Sequence, residues 1–319
     1  VALVLIQRDA RHVFPVPYRH WQAKPGFRRA VRSPDATIAS VLPFVRMENM
    51  TAAPAHRDDP GSVWVSAPNG LAPVLDALLG SNPYQARTGV FTGGANAVSV
   101  AELAIFYMLY CSRNFKAVMA HCESDYRYAK MGIPKTELEG KTLGLIGTGN
   151  IGRLVAKKAA LGFDMKVVAY DPFARELPDY IRLTEDRDEV FRCADYVSLH
   201  VPATKDTVHS VSDHEFDLMK ESAFLINTAR GKIVDEGALI RALEAKKIAG
   251  AGLDVVEQEP FDLKNPLLKM ENVLVAPHIG GATREASTRS SLACAQAIDD
   301  FFSGRRPKFI VPELRDLIG

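Results

Sequence analysis

Three residues in the C-terminal half of the chain could together perform proton and charge chemistry on a small carboxylic acid. Arg230 lies in LINTARGKIVDE, Glu259 in GLDVVEQEPF and His278 in VAPHIGG, and each follows a short apolar run. An Arg can hold a planar carboxylate through two parallel hydrogen bonds and polarise a neighbouring carbonyl. A His can deliver a proton to a carbonyl oxygen, and a Glu beside it can fix its tautomer and raise its pKa. We predict these three as catalytic residues, with Arg230 also binding the substrate.

Each of the three also has a structural interpretation. Arg230 could contact a helix end or a surface carboxylate, Glu259 could be a solvated loop residue, and a single His after a strand is more often structural than catalytic. What favours chemistry is their joint occurrence downstream of a dinucleotide-binding pattern.

That pattern begins at residue 147. Gly147, Gly149 and Gly152 have GxGxxG spacing between an apolar run and a helical segment, a spacing typical of a turn that brings backbone amides to a pyrophosphate. Asp171 follows 24 residues after Gly147, at the end of the next apolar run, where a carboxylate can bind both hydroxyls of an adenosine ribose. A 2′-phosphate would meet a negative charge there, so NAD is favoured over NADP. The predicted cofactor residues of this segment are Gly147, Gly149, Asn150, Ile151, Gly152 and Asp171.

The elements that must position these residues are buried strands alternating with helices. Continuous Val-, Ile- and Leu-rich runs are typical of strands covered on both faces, and strand-helix repetition predicts a doubly wound parallel sheet of Rossmann type. Arg230, Glu259 and His278 then converge at the carboxyl edge of this sheet, where ligands bind. The predicted strands are 142–146, 166–170, 195–199, 223–227, 250–255 and 272–276, and the predicted helices between them are 150–162, 186–193, 212–220 and 235–246.

The first 98 residues predict a second, smaller α/β domain. Residues 35–44 and 61–68 resemble strands and residues 71–80 a short helix, with Pro- and Gly-containing breaks between them. A long apolar helix over 99–120 is expected to enter the next domain and to pack against another domain or a second subunit. A last helix over 284–302 leads the chain back. The predicted domains are 1–98 plus 286–319 for substrate and 99–285 for NAD.

The bulk composition limits the kinds of partner. Lys and Arg number 39 against 38 Asp and Glu, so no charge excess draws the protein to nucleic acid or to an anionic membrane. The four cysteines lack CxxC spacing, which favours free thiols in a reducing, cytoplasmic compartment and predicts no metal site. No apolar stretch is long enough to span a membrane. Because the sequence begins at Val1, it leaves a removed leader open.

Several segments, in order, resemble the NAD-dependent D-isomer-specific 2-hydroxyacid dehydrogenases. They are ELEGKTLGLIGTGNIG, HVPAT, LINTARGKIVDEGALIRALEAKKIAGAGLDVVEQEP and NVLVAPHIGGAT, and the resemblance covers about residues 96 to 302. It implies a flavodoxin-like substrate domain, a small 2-oxo or 2-hydroxy acid substrate, a homodimer, and the roles already given to Arg230, Glu259 and His278. It also implies that Asp254 meets the nicotinamide carboxamide. The further cofactor-lining residues are His200, Val201, Pro202, Thr207, Thr228, Ala229 and Gly280, with packing an equal alternative for His200.

The N-terminal segment departs from the family pattern. Members carry a Gly-rich loop whose amides bind the substrate carboxylate, and the corresponding loop here contains Pro68, Asn69 and Gly70, with one residue more before Asp76. We predict these three loop residues to bind substrate, but the altered loop leaves the side chain of the substrate open. We also expect no regulatory domain after residue 319, unlike some phosphoglycerate dehydrogenases of the family.

Two alternative functions remain. Relatives of this fold serve as NAD-sensing corepressors that retain the same three catalytic residue types, although no peptide-binding signature is recognisable here. Formate dehydrogenase, which needs no acid or base, carries a Gln in place of the Glu partner, so Glu259 argues against it. Reversible reduction of a 2-oxo acid by NADH is the leading hypothesis, of the glyoxylate or hydroxypyruvate type.

Overall fold

The computed structural model describes residues 3–6, 88–91, 94–302 and 305–308. Contacts between residues group the chain into two units, one of which is Ala97–Thr283 and the other Val1–Asn96 together with Arg284–Gly319. The strands and the helix predicted within the first 80 residues lie outside the described residues, as does the loop with Pro68, Asn69 and Gly70.

The discontinuous unit has three described elements. Strand β1 (Leu3–Ile6) pairs antiparallel with β2 (Thr88–Phe91). The C-terminal helix covers Arg284–Phe302, as predicted, and its Arg289 Nε donates a hydrogen bond to the carbonyl oxygen of Ala95 at 2.8 Å. This contact joins residues from the two ends of the sequence within the same unit.

Ala97–Thr283 forms a sheet of seven parallel strands with helices on both faces. The strands are β3 (Thr142–Ile146), β4 (Lys166–Tyr170), β5 (Ile181–Leu183), β6 (Tyr196–Leu199), β7 (Phe224–Asn227), β8 (Gly250–Leu253) and β9 (Val273–Val275). The helices are α1 (Ala97–Ser112), α2 (Phe115–His121), α3 (Asn150–Phe163), α4 (Arg187–Cys193), α5 (Asp213–Leu218) and α6 (Glu236–Glu244), which makes the C-terminal helix α7.

The strand order is β5-β4-β3-β6-β7-β8-β9. The chain winds outward from β3 in one direction and then crosses to β6 and winds in the other. The crevice between the carboxyl ends of β3 and β6 is therefore the topological switch point, where open α/β sheets bind ligands. This confirms the predicted doubly wound Rossmann-type architecture.

Two apolar cores cover the two faces of the sheet. Side chains of α1 and α3, such as Tyr107 and Val155, pack with Leu143 and Leu145 of β3 on one face. Phe191 of α4 and Leu239 of α6 belong to the other core. Because both faces are covered, the strands other than β5 are mostly continuous apolar runs, and this is the pattern that made them recognisable in the sequence.

The predicted single helix over 99–120 was wrong, because the chain breaks at Asn114. Asn114 adopts a left-handed backbone with φ 45°, a region that Asn tolerates better than most residues, and its Nδ2 donates to the carbonyl of Pro134 at 2.7 Å. The break separates α1 from α2 and aims Lys116 at the segment before β9. Lys116 Nζ donates to the carbonyl oxygens of Leu268, Met270 and Val273.

The edge strand β5 was not predicted. It has three residues, of which only Ile181 is buried, so its apolar signal is weak. Among the helices in the described ranges, none has the length and apolar character needed to cross a bilayer.

Candidate active site

The turn after β3 brings three backbone segments into close contact. Gly147 has φ 96°, which favours glycine, and a Cβ at this position would lie 2.8 Å from the carbonyl oxygen of His200. A Cβ at Gly152 would overlap the carbonyl oxygen of Gly147. Both glycines are thus required by the packing of β3, the first turn of α3 and the end of β6.

The amino end of α3 is open at this turn. Gly149 is the N-cap residue and contributes no side-chain cap, and no described residue apart from its neighbours in the chain lies within 4 Å of where its Cβ would be. Asn150, Ile151 and Gly152 form the first helical turn, whose amides have no acceptor within the helix. Free amides at the positive end of a helix dipole, beside an open space, fit a pyrophosphate.

Asp171 lies at the end of β4 and is fixed by the same turn. Its Oδ2 accepts hydrogen bonds from the amide and hydroxyl of Thr148 at 2.8 and 2.9 Å, and its Oδ1 accepts from the amide of Phe173. Partial burial opposes ionisation, but these hydrogen bonds outweigh it and lower the pKa of Asp171. The ionised carboxylate keeps further lone pairs that can accept from ribose hydroxyls and would repel a 2′-phosphate.

Two buried polar atoms at the ends of β6 and β7 have no hydrogen-bond partner among the described residues, His200 Nδ1 and Thr228 Oγ1. The Nε2 of His200 lies 2.9 Å from the Ser198 hydroxyl. Although part of the residue reaches the surface, its Nδ1 is buried, and desolvation lowers the pKa of His200 to about 3. Buried polar atoms are rarely left unpaired, so both atoms fit the polar edge of a bound ligand.

The loop after His200 contains the other predicted cofactor residues of this edge, Val201, Pro202 and Thr207. The Thr207 hydroxyl donates to the carbonyl of Pro202 at 2.6 Å and lies 2.7 Å from the amide of Thr204, which donates to it. These bonds fold the loop back on itself. In the following loop, the amide of Ala229 donates a hydrogen bond to Asn227 Oδ1 at 3.0 Å.

Arg230 follows β7 and is exposed. Its carbonyl accepts a hydrogen bond from Asn227 Nδ2 at 3.0 Å, and its Nη1 donates to the carbonyl of Ala229 at 2.6 Å. A Cβ at the next residue, Gly231, would overlap the carbonyl of Val256. The arginine is therefore held by direct backbone contact between the loops after β7 and β8, while its exposed guanidinium retains donors for a carboxylate.

His278 and Glu259 form a side-chain pair. His278 Nδ1 lies 2.9 Å from Glu259 Oε2, and the two side chains are 44% and 36% exposed. With Nδ1–H donated to the carboxylate, Nε2 remains as the atom that can exchange a proton with a substrate. The structure thus brings together two residues that the sequence separates by 19 positions.

Asp254 holds the loop that carries His278. It is 1% exposed, and its two oxygens accept from the amides of Ile279 at 2.7 Å and Gly280 at 2.8 Å. Its own carbonyl accepts from the amide of His278, which has φ 56°. Burial raises the pKa of Asp254, and the two amide hydrogen bonds oppose the rise.

Gly280 has a packing reason that the sequence did not indicate. A Cβ at Gly280 would lie 2.8 Å from Asp254 Oδ2. The carbonyl oxygen of Gly280 accepts a hydrogen bond from the Ser99 hydroxyl at 2.5 Å. The glycine therefore lets the buried carboxylate approach the loop. Room for a nicotinamide at Gly280 and a carboxamide contact of Asp254 stay predictions.

A cluster of metal-ligating residue types lies elsewhere in this unit. Ligand atoms of Asp188, His214 and Glu215 lie within 4.8 Å of one another. However, Glu215 Oε1 accepts from Arg187 Nη1 at 2.6 Å, and its Oε2 accepts from the amide of Ser212. A guanidinium against the buried carboxylate serves the charge balance that a cation would supply, so the cluster is an ion-pair network.

The contact between His209 and Glu257 was not predicted from the sequence. His209 Nε2 lies 2.7 Å from Glu257 Oε1. The only local signal is that Glu257 stands two positions before Glu259.

Comparison with known proteins agrees with this geometry. Residues 105–280 match the family model described as D-isomer specific 2-hydroxyacid dehydrogenase, NAD binding domain. The hydroxypyruvate reductase of Thermotoga maritima is 42% identical over 212 residues, which cover 65% of this chain and 67% of that protein. The glyoxylate reductase of Thermococcus litoralis is 44% identical over 232 residues, 69% of this chain and 68% of that protein. The match with the D-3-phosphoglycerate dehydrogenase of Archaeoglobus fulgidus, at 41% identity, spans only 40% of that longer protein.

Solved structures show the same likeness. D-lactate dehydrogenase with NAD+ from Lactobacillus jensenii aligns with a TM-score of 0.63 and 33% identity, over 67% of this chain and 68% of that one. The holo form of D-mandelate dehydrogenase from Rhodotorula graminis aligns with a TM-score of 0.65 and 29% identity, over 70% and 68%.

The glycine turn, the open helix end and the acidic residue after β4 define an NAD-binding dehydrogenase domain of Rossmann type. The chain belongs to the D-isomer-specific 2-hydroxyacid dehydrogenase family, whose reaction is the NAD-dependent oxidoreduction of 2-hydroxy acids.

Proposed function

We propose that this protein reduces a small 2-oxo acid of the glyoxylate or hydroxypyruvate type to a D-2-hydroxy acid with NADH, reversibly. The observation that carries the proposal is the His278–Glu259 pair at 2.9 Å, on loops at the carboxyl edge of a sheet whose switch point has the features of a dinucleotide site. The names of the relatives, hydroxypyruvate reductase and glyoxylate reductase, support small substrates.

Arg230 binds the substrate carboxylate in this proposal. Its exposed guanidinium can form two parallel hydrogen bonds with a carboxylate and polarise the adjacent carbonyl. The close contact of Gly231 with Val256 fixes where the arginine backbone lies, so the substrate carbonyl has a defined position.

His278 supplies the proton. In the reduction its Nε2 donates to the carbonyl oxygen, and the positive charge that it carries beforehand is stabilised by Glu259 through Nδ1. In the oxidation the neutral ring accepts the hydroxyl proton at the same atom. Glu259 keeps Nδ1 protonated in both directions and so leaves Nε2 facing the substrate.

The cofactor residues of this proposal are those of the switch point. Gly149 and the first turn of α3 hold the pyrophosphate, and Asp171 takes the adenosine ribose. His200 and Thr228, with their unpaired buried atoms, line the same edge, as do the loop residues after them. The nicotinamide, when bound, supplies the hydride.

The two units into which residue contacts divide the chain support the proposed domain assignment. Residues 99–285 are proposed as the NAD-binding domain, and 1–98 with 286–319 as a flavodoxin-like substrate domain. The loop with Pro68, Asn69 and Gly70 would then select the substrate side chain.

A homodimer is proposed through an apolar patch, defined as Phe106, Leu109, Phe115 and Met119 of α1 and α2. These side chains are 37% to 54% exposed, and the Phe106, Tyr110 and Phe115 rings form a chain with centroid separations of 5.7 and 5.6 Å. Clustered exposed aromatic side chains are typical of protein interfaces, and we propose that a second copy of this chain covers the patch.

A cytoplasmic location is proposed from the cysteines. Cys111, Cys122, Cys193 and Cys294 are all free. Burial raises the pKa of the Cys111 thiol to about 12, so this cysteine is an inert core residue.

The test of the function is a panel of glyoxylate, hydroxypyruvate, pyruvate, phenylpyruvate and 2-oxoisocaproate, each with NADH and with NADPH, followed by nicotinamide absorbance. We expect turnover with the two smallest polar acids and a preference for NADH. NADH binding without turnover on any acid would support the corepressor function and overturn the enzyme.

A further inference from the structure

A second histidine–glutamate pair shares the loop after β8 with the first. His209 Nε2 is 2.7 Å from Glu257 Oε1, and the side chains are 46% and 36% exposed. His209 has φ 52° and His278 has φ 56°, so both histidines extend from left-handed backbone positions. The two glutamates are two residues apart on the loop that follows β8.

Glu257 is also fixed from its other side by α6. Its amide donates to Glu236 Oε2 at 3.0 Å, and its Oε2 accepts from the amide of Glu236 at 3.4 Å. The Oε1 of Glu236 accepts from Asn265 Nδ2 at 2.7 Å. Glu257 is therefore held at its main chain and at both carboxylate oxygens.

Along the loop after β8, Glu257 lies between residues that contact the segments of Arg230 and His278, the two groups that contact substrate in the proposed reaction. The residue before it, Val256, is in backbone contact with Gly231, next to Arg230. Two residues after it, Glu259 contacts His278. Glu257 is thus a fixed residue on the same loop as Glu259, two positions before it.

His209 connects this loop to the cofactor edge. It follows β6 on the segment that contains Thr207, and its amide donates to the carbonyl of Lys232 at 2.8 Å. Its ring then spans to Glu257 from an exposed position. The His209–Glu257 contact thus joins the segments after β6 and β8, each of which also contacts the segment after β7 through its backbone.

We propose that His209 and Glu257 are positioning residues, which hold the loop after β8 so that Glu259 stays in contact with His278. The inference rests on the proposed roles of His278 and Glu259. The pair does not touch substrate and acts only through Glu259.

The test compares turnover and binding in variants of the full chain. His209→Gly removes the ring but keeps the left-handed backbone unstrained, and Glu257→Ala removes the partner. Each should lower kcat by about tenfold, because a small displacement of a catalytic contact is costly, and change the NADH Kd and the KM of the 2-oxo acid by less than about twofold. Glu257→Gln, which can still accept from the ring, should restore most of kcat.

Lys246→Gly is the matched control, since Lys246 is exposed and has φ 56° away from this loop. It should leave kcat unchanged. If His209→Gly and Lys246→Gly have equal effects, loss of a left-handed side chain explains both and the inference is overturned. A raised NADH Kd at unchanged kcat would also overturn it, because the pair would then serve the cofactor loop.

A double-mutant cycle separates this inference from the proposed function. In a Glu259→Gln background, Glu257→Ala should cause no further loss of kcat, because the contact that it positions is already gone. Additive losses would overturn the inference. If Glu259→Gln alone leaves kcat unchanged, the proposed role of Glu259 fails instead.

Discussion

The two halves of the sheet's carboxyl edge differ in whether backbone or side-chain groups form the candidate site. After β3 and β4 the candidate site consists mainly of backbone: two glycines at which a Cβ would clash with a carbonyl oxygen, an open helix end and a carboxylate fixed by hydrogen bonds to Thr148. After β8 and β9 it consists of side chains on loops, held by Asp254, Glu257 and Glu259. The first half is specified by local spacing, and the second by contacts between residues far apart in the sequence.

The two histidines of these edges illustrate the difference. His200 is desolvated and neutral, with Nε2 against the Ser198 hydroxyl and with no partner for Nδ1 among the described residues. His278 is exposed, has a carboxylate on one nitrogen and leaves the other free to exchange a proton. The same type of side chain is suited to lining a cofactor after β6 and to acid–base chemistry after β9.

The largest expected effect is at the side-chain half. His278→Gln should lower kcat by at least about 100-fold, because general acid catalysis is lost, while the NADH Kd changes less than about twofold. Steady-state turnover and fluorescence titration with NADH measure the two quantities. Retained turnover would remove His278 from the mechanism.

Glu259→Gln should have the next largest effect, a loss of kcat of roughly 10- to 100-fold with the NADH Kd changed by less than about twofold. The variant loses the charged acceptor on Nδ1, so the orientation of the His278 ring is less well fixed. Steady-state turnover and NADH titration measure the two quantities. An unchanged kcat would contradict a role through His278.

At the backbone half, Gly152→Ala should weaken NADH binding by about tenfold and destabilise the fold by about 1–3 kcal/mol, because the new Cβ overlaps the carbonyl of Gly147. Gly162→Ala is the matched control in α3, where a Cβ meets nothing within 4 Å. It should stabilise the protein by up to about 1 kcal/mol. Calorimetry and NADH titration compare them, and equal behaviour of the two variants would refute the close-contact argument.

The smallest effect concerns His200 and pH. Its folded pKa of about 3 lies below the usual 6.5, so below pH 6.5 the unfolded chain binds a proton that the folded chain does not. The free energy of unfolding therefore falls as pH falls, by at most about 1.4 kcal/mol per pH unit from this group. His200→Asn should give a shallower loss between about pH 7 and pH 5 in denaturant unfolding. An unchanged slope would show that the ring is hydrated.

The sequence predicted the strands and the fold of the backbone half. Strands β3 and β4 have the predicted bounds, and the fold class, the family and NAD were confirmed, because continuous apolar runs and glycine spacing are local properties. The sequence also predicted that Arg230, Glu259 and His278 lie at the carboxyl edge of the sheet, and their roles stay predictions.

What the sequence did not predict depends on loop conformation. The left-handed backbone of His209 and the burial of Asp254 beneath the His278 loop arise from tertiary contacts, and no spacing rule encodes them. The break at Asn114 had a local signal, since Asn tolerates this conformation, but the surrounding apolar pattern favoured a continuous helix. The short strand β5 had too few buried residues to be recognised.

The contact between Gly231 and Val256 limits how this protein can be redesigned. Any residue larger than glycine at position 231 would push apart the loops that carry Arg230 and Glu259. Substitutions at position 231 therefore cannot be used to adjust the position of either side chain. Libraries that aim at bulkier oxo acids should leave positions 230, 231 and 256 fixed.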